Sequence, residues 1–114
     1  VRHRGSGAWI AVFMAAKGGA FAESGFYWST SRDLLVWDVP RLLLAGATLY
    51  DDPCTAKGRL IAYPSLLDPG AKGRNFDDVG ESGLLTFATL RTEGCTITSD
   101  RDLVRRPVTI KVWP

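Results

Sequence analysis

The sequence consists mostly of short segments in which apolar and polar residues alternate, with the two-residue period of a β-strand. In GFYWSTS, residues 25–31, Phe26, Trp28 and Thr30 share one face of the predicted strand. Other segments with strand character are residues 8–16, 41–45, 58–69, 84–90, 95–98 and 107–113. Helical spacing is weak throughout, so the pattern predicts an all-β fold.

The first apolar run, AWIAVFMAA, follows basic residues and mimics the start of a secretory signal. The run is short, is followed by the turn sequence Lys17-Gly18-Gly19, and is apolar on both faces. Apolar residues on both faces are typical of a strand buried between two layers. We therefore predict a core strand here. A transmembrane helix is excluded because it needs about twenty apolar residues.

The tripeptide Arg-Asp-Leu occurs at residues 32–34 and again at residues 101–103, about 69 residues later. Each copy follows an apolar–polar run and precedes a proline that begins another run. The Asp side chain can accept backbone N–H bonds and fix a turn, and we expect Leu34 and Trp37 to pack beneath the first copy. A unit that recurs in this way is typical of radial β repetition. The alternative is two unrelated hairpins that share the tripeptide by chance.

Composition and net charge indicate a globular domain and argue against a nucleic-acid-binding protein. A chain of 114 residues, 46% hydrophobic and 23% charged, is typical of one globular domain. The net charge is +2 and the basic residues are scattered, whereas a nucleic-acid-binding face needs clustered positive charge. We predict neither a nucleic acid nor a membrane as a partner.

The segment GFYWSTSRDLLVWDVPRLLL, residues 25–44, resembles five-bladed β-propeller glycosidases. In these proteins a strand ends in Ser-x-Asp-Leu-x-x-Trp and is followed by a proline and an apolar strand. Family 43 glycoside hydrolases and sialidase-like propellers share this sequence pattern. The segment AYPSLLDPGAKGRNFDDVGESGLLTFATL is similar to the last blade of related secreted bacterial proteins. The resemblance covers most of residues 5–113.

The resemblance implies an antiparallel β-propeller fragment with about two blades of four-stranded meanders. Residues 1–50 would form the penultimate blade and residues 51–114 the last blade. A five-bladed propeller needs roughly 250–350 residues, and the sequence begins at Val1, not at Met. We therefore expect the C-terminal fragment of a secreted carbohydrate-active protein, which contributes propeller closure and part of the channel wall. Its partners would be a glycan, and either the remaining blades or another copy.

Catalysis in family 43 uses three carboxylates from the first three blades: a base, a residue that tunes a pKa, and an acid. Glycoside hydrolysis usually needs two carboxyl groups on opposite sides of the bond. None of those blades is in this sequence, so the resemblance supplies no catalytic residue. We expect a glycoside hydrolase as the parent protein and no catalysis by this chain alone.

The predicted innermost strand, IAYPSLLD, presents Tyr63, Ser65 and Asp68 as candidate sugar contacts, and Trp28 is a fourth. Aromatic rings stack on the apolar side of pyranose rings, while carboxylates and hydroxyls bond sugar hydroxyls. The alternative for Trp28 and Tyr63 is a place in the core.

The loop sequence NFDDVGE contains Asp77, Asp78 and Glu81, which are candidate ligands for Ca²⁺, a cation that prefers oxygen. It lacks the spacing of a known Ca²⁺ loop, and the alternative is a solvated loop with Asp turn caps. No other cofactor is indicated.

Cys54 and Cys95 both stand beside turn residues, and we predict that they form a disulfide worth roughly 3–4 kcal/mol. A disulfide places the protein in an oxidising compartment, extracellular or periplasmic. Two other functions stay open: a glycan-binding propeller without catalysis, and a self-contained, disulfide-bonded β-sandwich that acts as a binding domain.

Overall fold

The computed structural model describes residues 1–112, and these residues form an all-β structure, as predicted. The strands are β1 (Arg2–His3), β2 (Trp9–Ala15), β3 (Gly25–Ser31), β4 (Arg41–Ala45), β5 (Arg59–Leu67), β6 (Asp78–Val79), β7 (Ser82–Glu93) and β8 (Thr96–Thr109). A short 3-10 helix, Pro53–Thr55, precedes β5. Within the described part of the chain, no helix has the length and apolar character needed to cross a membrane.

The first sheet has the strand order β4-β3-β2-β1-β6. Its centre is the antiparallel pair β2–β3, whose register runs without interruption from Trp9 opposite Ser31 to Ala15 opposite Gly25. This pair contains the apolar run that mimics a signal peptide, so the strand predicted there is confirmed. The predicted burial between two layers is not, because only Ile10 and Ala15 of β2 are buried and its other residues are half-buried. The two-residue strand β6 joins β1 in parallel, although it comes from the second half of the sequence.

The second sheet has the strand order β5-β7-β8 and is antiparallel throughout. Strands β7 and β8 form a long hairpin that turns at Gly94, whose φ of 59° favours glycine. Strand β5 contains a bulge between Ala62 and Ser65. Tyr63 lies in this bulge with a φ of 58°, a left-handed conformation that is uncommon for a residue with a side chain.

The facing sides of the two sheets pack together and form the core. The ring of Phe26 from β3 meets the ring of Phe87 from β7 edge to face, with 5.3 Å between centroids. Ile61 and Leu85 complete this central cluster. A bridge joins Thr48, in the connection after β4, to Ile61 of β5. The strands together curl into a half-barrel.

The first Arg-Asp-Leu copy forms the turn that leaves β3. The carboxylate of Asp33 accepts backbone N–H bonds from Leu35 and Val36, each at 2.9 Å, so the predicted role of the Asp is confirmed. The predicted packing beneath the turn is wrong, because Leu34 is 49% exposed and Trp37 is 39% exposed.

The second Arg-Asp-Leu copy lies inside β8 and forms no turn. Arg101 pairs with Leu90 of β7, and Leu103 pairs with Ala88. The twelve-residue β7 offers a continuous partner, and this pairing overrides the turn preference of the local sequence. Pro107 is tolerated within β8 because this is an edge strand. The predicted structural repeat is therefore wrong, and the tripeptide occurs in two unrelated conformations.

The strands are distributed five and three between the sheets, whereas two four-stranded meanders were predicted. Strand β6 belongs to the first sheet, although the predicted boundary between residues 50 and 51 assigns it to the second unit. The all-β class is confirmed, and the propeller organisation is not.

Candidate functional site

The four predicted sugar contacts lie in different environments. Trp28 is half-buried in β3 of the first sheet, whereas Tyr63 and Ser65 are exposed on β5 of the second sheet. Asp68 follows β5 and is only 6% exposed. Trp28 lines a groove to which none of the other three contributes.

Asp68 is held by protein donors on both carboxylate oxygens. Oδ1 accepts the backbone N–H of Gly70 at 2.8 Å. Oδ2 accepts the N–H of Gly80 at 2.8 Å and the Nη2 of Arg4 at 2.6 Å. The Gly80 bond, followed by the Arg4 bond, keeps the pKa of Asp68 below its ordinary value. Asp68 therefore ties the loops after β1 and β5 to the segment after β6.

The structure does not group the side chains of the three predicted Ca²⁺ ligands. Asp78 pairs with the Nη1 of Arg4 at 2.6 Å, so a fixed cation already faces its carboxylate. Asp77 and Glu81 are exposed. Across residues 1–112, no three His, Cys, Asp or Glu side chains are grouped closely enough to hold a metal ion.

The predicted disulfide between Cys54 and Cys95 is confirmed. It joins the 3-10 helix before β5 to the turn between β7 and β8, and both cysteines are exposed. Asp52 caps the helix by accepting the N–H of Cys54 at 2.9 Å. The bridge therefore fixes the far end of the β7–β8 hairpin against the connection between the sheets.

The best candidate site is the groove beside Trp28, with a volume of about 440 Å³. It is lined by Trp28, Ser29, Thr30, Asp38, Val39, Arg41, Lys111 and Val112. We call it the Trp28 groove. It combines an indole ring, a carboxylate and two cationic side chains on an open surface.

The β3–β4 register sets the geometry of this groove. Trp28 and Arg41 are directly opposite each other, so the guanidinium of Arg41 lies over the indole ring at 5.8 Å from the ring to Cζ. Asp38 is fixed by Thr30, whose hydroxyl donates to Oδ2 at 2.6 Å and whose carbonyl accepts the Asp38 N–H at 2.9 Å. Ser29 adds a bond from its hydroxyl to the Asp38 carbonyl at 2.6 Å.

An apolar cleft of about 520 Å³ adjoins the Trp28 groove between the two sheets. It shares Trp28 and Lys111 with the groove, and its other lining residues are Ile10, Val12, Leu43, Leu66, Val108, Thr109 and Ile110. The indole ring therefore separates a polar surface from an apolar one.

Asp38, Arg41 and Lys111 were not among the predicted sugar contacts. Trp28 was identified because it is an aromatic residue in a strand. Arg41 is opposite Trp28 because of the β3–β4 register. That register could not be predicted from the sequence, because the loop between the two strands is irregular. Lys111 follows the last strand, β8, and no sequence pattern indicates that it lines the same groove as Trp28.

No protein-family model, curated protein or solved structure matches this chain.

Proposed function

We propose that this chain binds glycans through the Trp28 groove, as part of a secreted carbohydrate-active β protein. The observation that carries the proposal is the combination of Trp28, Asp38, Arg41 and Lys111 in one open groove. An aromatic face with a few convergent polar groups is the usual composition of a small-molecule site.

Each of these side chains has a role that suits a sugar. The indole ring of Trp28 offers an apolar surface to the C–H face of a pyranose, which would take the place over the ring that the Arg41 guanidinium now occupies. The carboxylate of Asp38 accepts bonds from sugar hydroxyls, while Arg41 and Lys111 donate to ring and hydroxyl oxygens. Because Thr30 fixes Asp38 at 2.6 Å, the carboxylate is oriented before a ligand arrives.

The balance of charge favours an acidic sugar. Two cationic side chains and one carboxylate line the groove, and Arg41 has the planar fork that matches a carboxylate group. A uronic acid or another sugar acid would add a charged hydrogen bond that a neutral pentose cannot make. We therefore expect acidic oligosaccharides to bind more tightly than neutral ones.

The proposed activity is binding without hydrolysis. Hydrolysis of a glycosidic bond usually needs two carboxyl groups that flank it. Of the residues that line the groove, Asp38 alone carries a carboxylate. The proposed setting outside the cell is supported by the exposed Cys54–Cys95 disulfide, which is stable in an oxidising compartment.

The test is titration of the oxidised chain with acidic and neutral oligosaccharides by isothermal calorimetry. We expect saturable binding of the acidic set, and a loss of about tenfold in affinity for Arg41→Gln or Lys111→Gln. Lys57→Gln is the matched control, because Lys57 is an exposed lysine that does not line the groove. Absence of saturable binding, or an equal loss in the Lys57 variant, would refute the proposal.

A second role is favoured by the turn after β3, which exposes consecutive apolar side chains. Leu35 is 85% exposed and Val36 is 73% exposed. An apolar patch of this kind marks a contact surface, and we propose that it packs against further β units of a larger protein, as in propeller closure. Hydrogen exchange tests this role: the amides of residues 34–37, which do not line the Trp28 groove, should exchange more slowly in a longer gene product than in this chain. Equal exchange would refute it.

A further inference from the structure

Among the strands of residues 1–112, none pairs with the outer edge of β8, so this edge is open. Strand β8 pairs with β7 along one side and ends the strand order of its sheet on the other. It is fourteen residues long and mostly exposed, and its Leu103 is 82% exposed. A long edge strand presents unpaired N–H and C=O groups and is a template for another strand.

The pairing of β8 with β7 shows which charged residues of β8 share a face. Asp102, Val104 and Arg106 share one face of the strand, because alternate residues point the same way. Leu103 and Arg105 lie on the opposite face. Asp102 and Arg106 are therefore equidistant from Val104, on the same face, and opposite in charge.

We propose that β8 pairs with β8 of a second copy, in antiparallel orientation, about a two-fold axis through Val104. In this register Asp102 of each copy lies opposite Arg106 of the other, so the contact contains two opposite-charge pairs. Val104 lies opposite its own counterpart and places an apolar pair at the centre. Opposite charges directly across a strand pair stabilise the pairing.

Neighbouring registers are disfavoured by charge. For a two-fold axis perpendicular to the sheet, one residue must lie opposite its own copy. The reason is that directly opposite residues point to the same face, so their numbers differ by an even number. An axis through Leu103 would place Arg101 opposite Arg105 twice, and an axis through Asp102 or Arg105 would oppose that residue to itself. Like charges directly opposite each other are destabilising, so the sequence selects the axis through Val104.

The paired segment is short. Pro107 has no backbone N–H to donate, so we limit the segment to Asp102–Arg106. The self-complementary charge order indicates a second copy as the partner, because an unrelated strand would not need symmetry about Val104. The contact lies on the strand edge and is separate from the proposed glycan groove.

The proposed β8–β8 dimer is tested by reversing the charges at positions 102 and 106. The dimer is measured by sedimentation equilibrium over a concentration series. We expect the wild type to dimerise reversibly, and Arg106→Asp or Asp102→Arg to weaken the dimer by about tenfold or more. The double variant Asp102→Arg/Arg106→Asp should restore it. Arg105→Asp is the matched control, because it makes the same charge change on the other face. A monomeric wild type, failure of the folded double variant to dimerise, or an equal loss for Arg105→Asp would overturn the proposal.

A cross-link provides a second measurement that does not depend on affinity. Directly opposite residues in an antiparallel pair have Cα atoms about 4.5–5.5 Å apart, within the range of a disulfide. Val104→Cys should therefore form an intermolecular disulfide on mild oxidation, identified by mass spectrometry. Arg101→Cys lies outside the paired segment and should cross-link at least about tenfold more slowly. Equal rates for the two variants would overturn the register.

Discussion

Asp68 and Arg4 are 64 residues apart in the sequence, and their side chains meet with 2.6 Å between Oδ2 and Nη2. Asp68 is almost fully buried, and it also accepts the N–H groups of Gly70 and Gly80. The resulting network connects the N-terminal loop to the ends of β5 and β6. Asp68 therefore has a structural role. A sugar that bound its carboxylate would have to displace the donors from Arg4, Gly70 or Gly80.

The Asp68 network should make folding stability depend on pH. Because the pKa of Asp68 is lowered in the folded state, the unfolded chain binds the proton more tightly. The contribution to stability is present above the unfolded pKa, about 4, and is lost as pH falls through the folded pKa. Asp68→Asn should destabilise the protein at pH 7, and its deficit relative to the wild type should shrink as the medium becomes acidic. Urea unfolding at several pH values measures this.

The control for this experiment is Glu81→Gln. Glu81 is an exposed carboxylate in the segment that follows β6. We expect its substitution to leave the stability close to that of the wild type at every pH. A deficit for Asp68→Asn that stays constant from neutral to acidic pH would contradict the account of the network.

The Cys54–Cys95 bridge should provide a large part of the stability. It closes a loop with a sequence separation of 41, for which loop-closure entropy gives about 3–4 kcal/mol. Reduction, or the double substitution Cys54→Ser/Cys95→Ser, should lower the free energy of unfolding by about this amount, as measured by urea denaturation. The reducing agent should have no effect on the double variant. If the urea midpoint of the reduced wild type were unchanged, the Cys54–Cys95 bridge would not stabilise the protein.

The strands were predictable where alternation is long. The segment GFYWSTS matches β3 residue for residue, and the apolar run before it contains β2. Strands β1 and β6 have two residues each and carry no periodic signal. Pairing with other strands defines them: β1 pairs with both β2 and β6. The prediction divided strand β8 at the second Arg-Asp-Leu copy, residues 101–103, whereas the long partner β7 holds that segment extended.

The candidate site was less predictable than the strands. Trp28 could be identified from its own strand, but Arg41 reaches it through a cross-strand register and Lys111 through packing between the sheets. Asp68 was selected as a sugar contact from its place after an apolar strand, whereas its hydrogen bonds come from residues distant in sequence. Local patterns reveal residue type and face, and long-range pairing decides which side chains meet.

The two Arg-Asp-Leu copies should respond differently to the same substitution. Asp33→Ala removes the acceptor of the Leu35 and Val36 N–H groups, so the amides of these two residues should exchange about tenfold faster. Asp102→Ala, at the equivalent position of the second copy, should not change exchange at residues 35 and 36. The pKa of Asp33 is lowered by the same N–H bonds, so the turn should also loosen as pH falls through that value. Hydrogen exchange with mass spectrometry checks both outcomes.

Tyr63 should be sensitive to backbone conformation. Its φ of 58° lies in the left-handed region, which costs a β-branched residue most and glycine least. Tyr63→Val should therefore destabilise the protein by up to about 1 kcal/mol, because β-branching adds to a cost that tyrosine already bears, whereas Tyr63→Gly relieves that cost and should not destabilise it by more than about 1 kcal/mol. Ser65→Val provides the control, because Ser65 is an exposed strand residue two positions away and pairs with Thr86. If valine is tolerated equally at positions 63 and 65 in thermal unfolding, the bulge does not require the left-handed conformation at Tyr63.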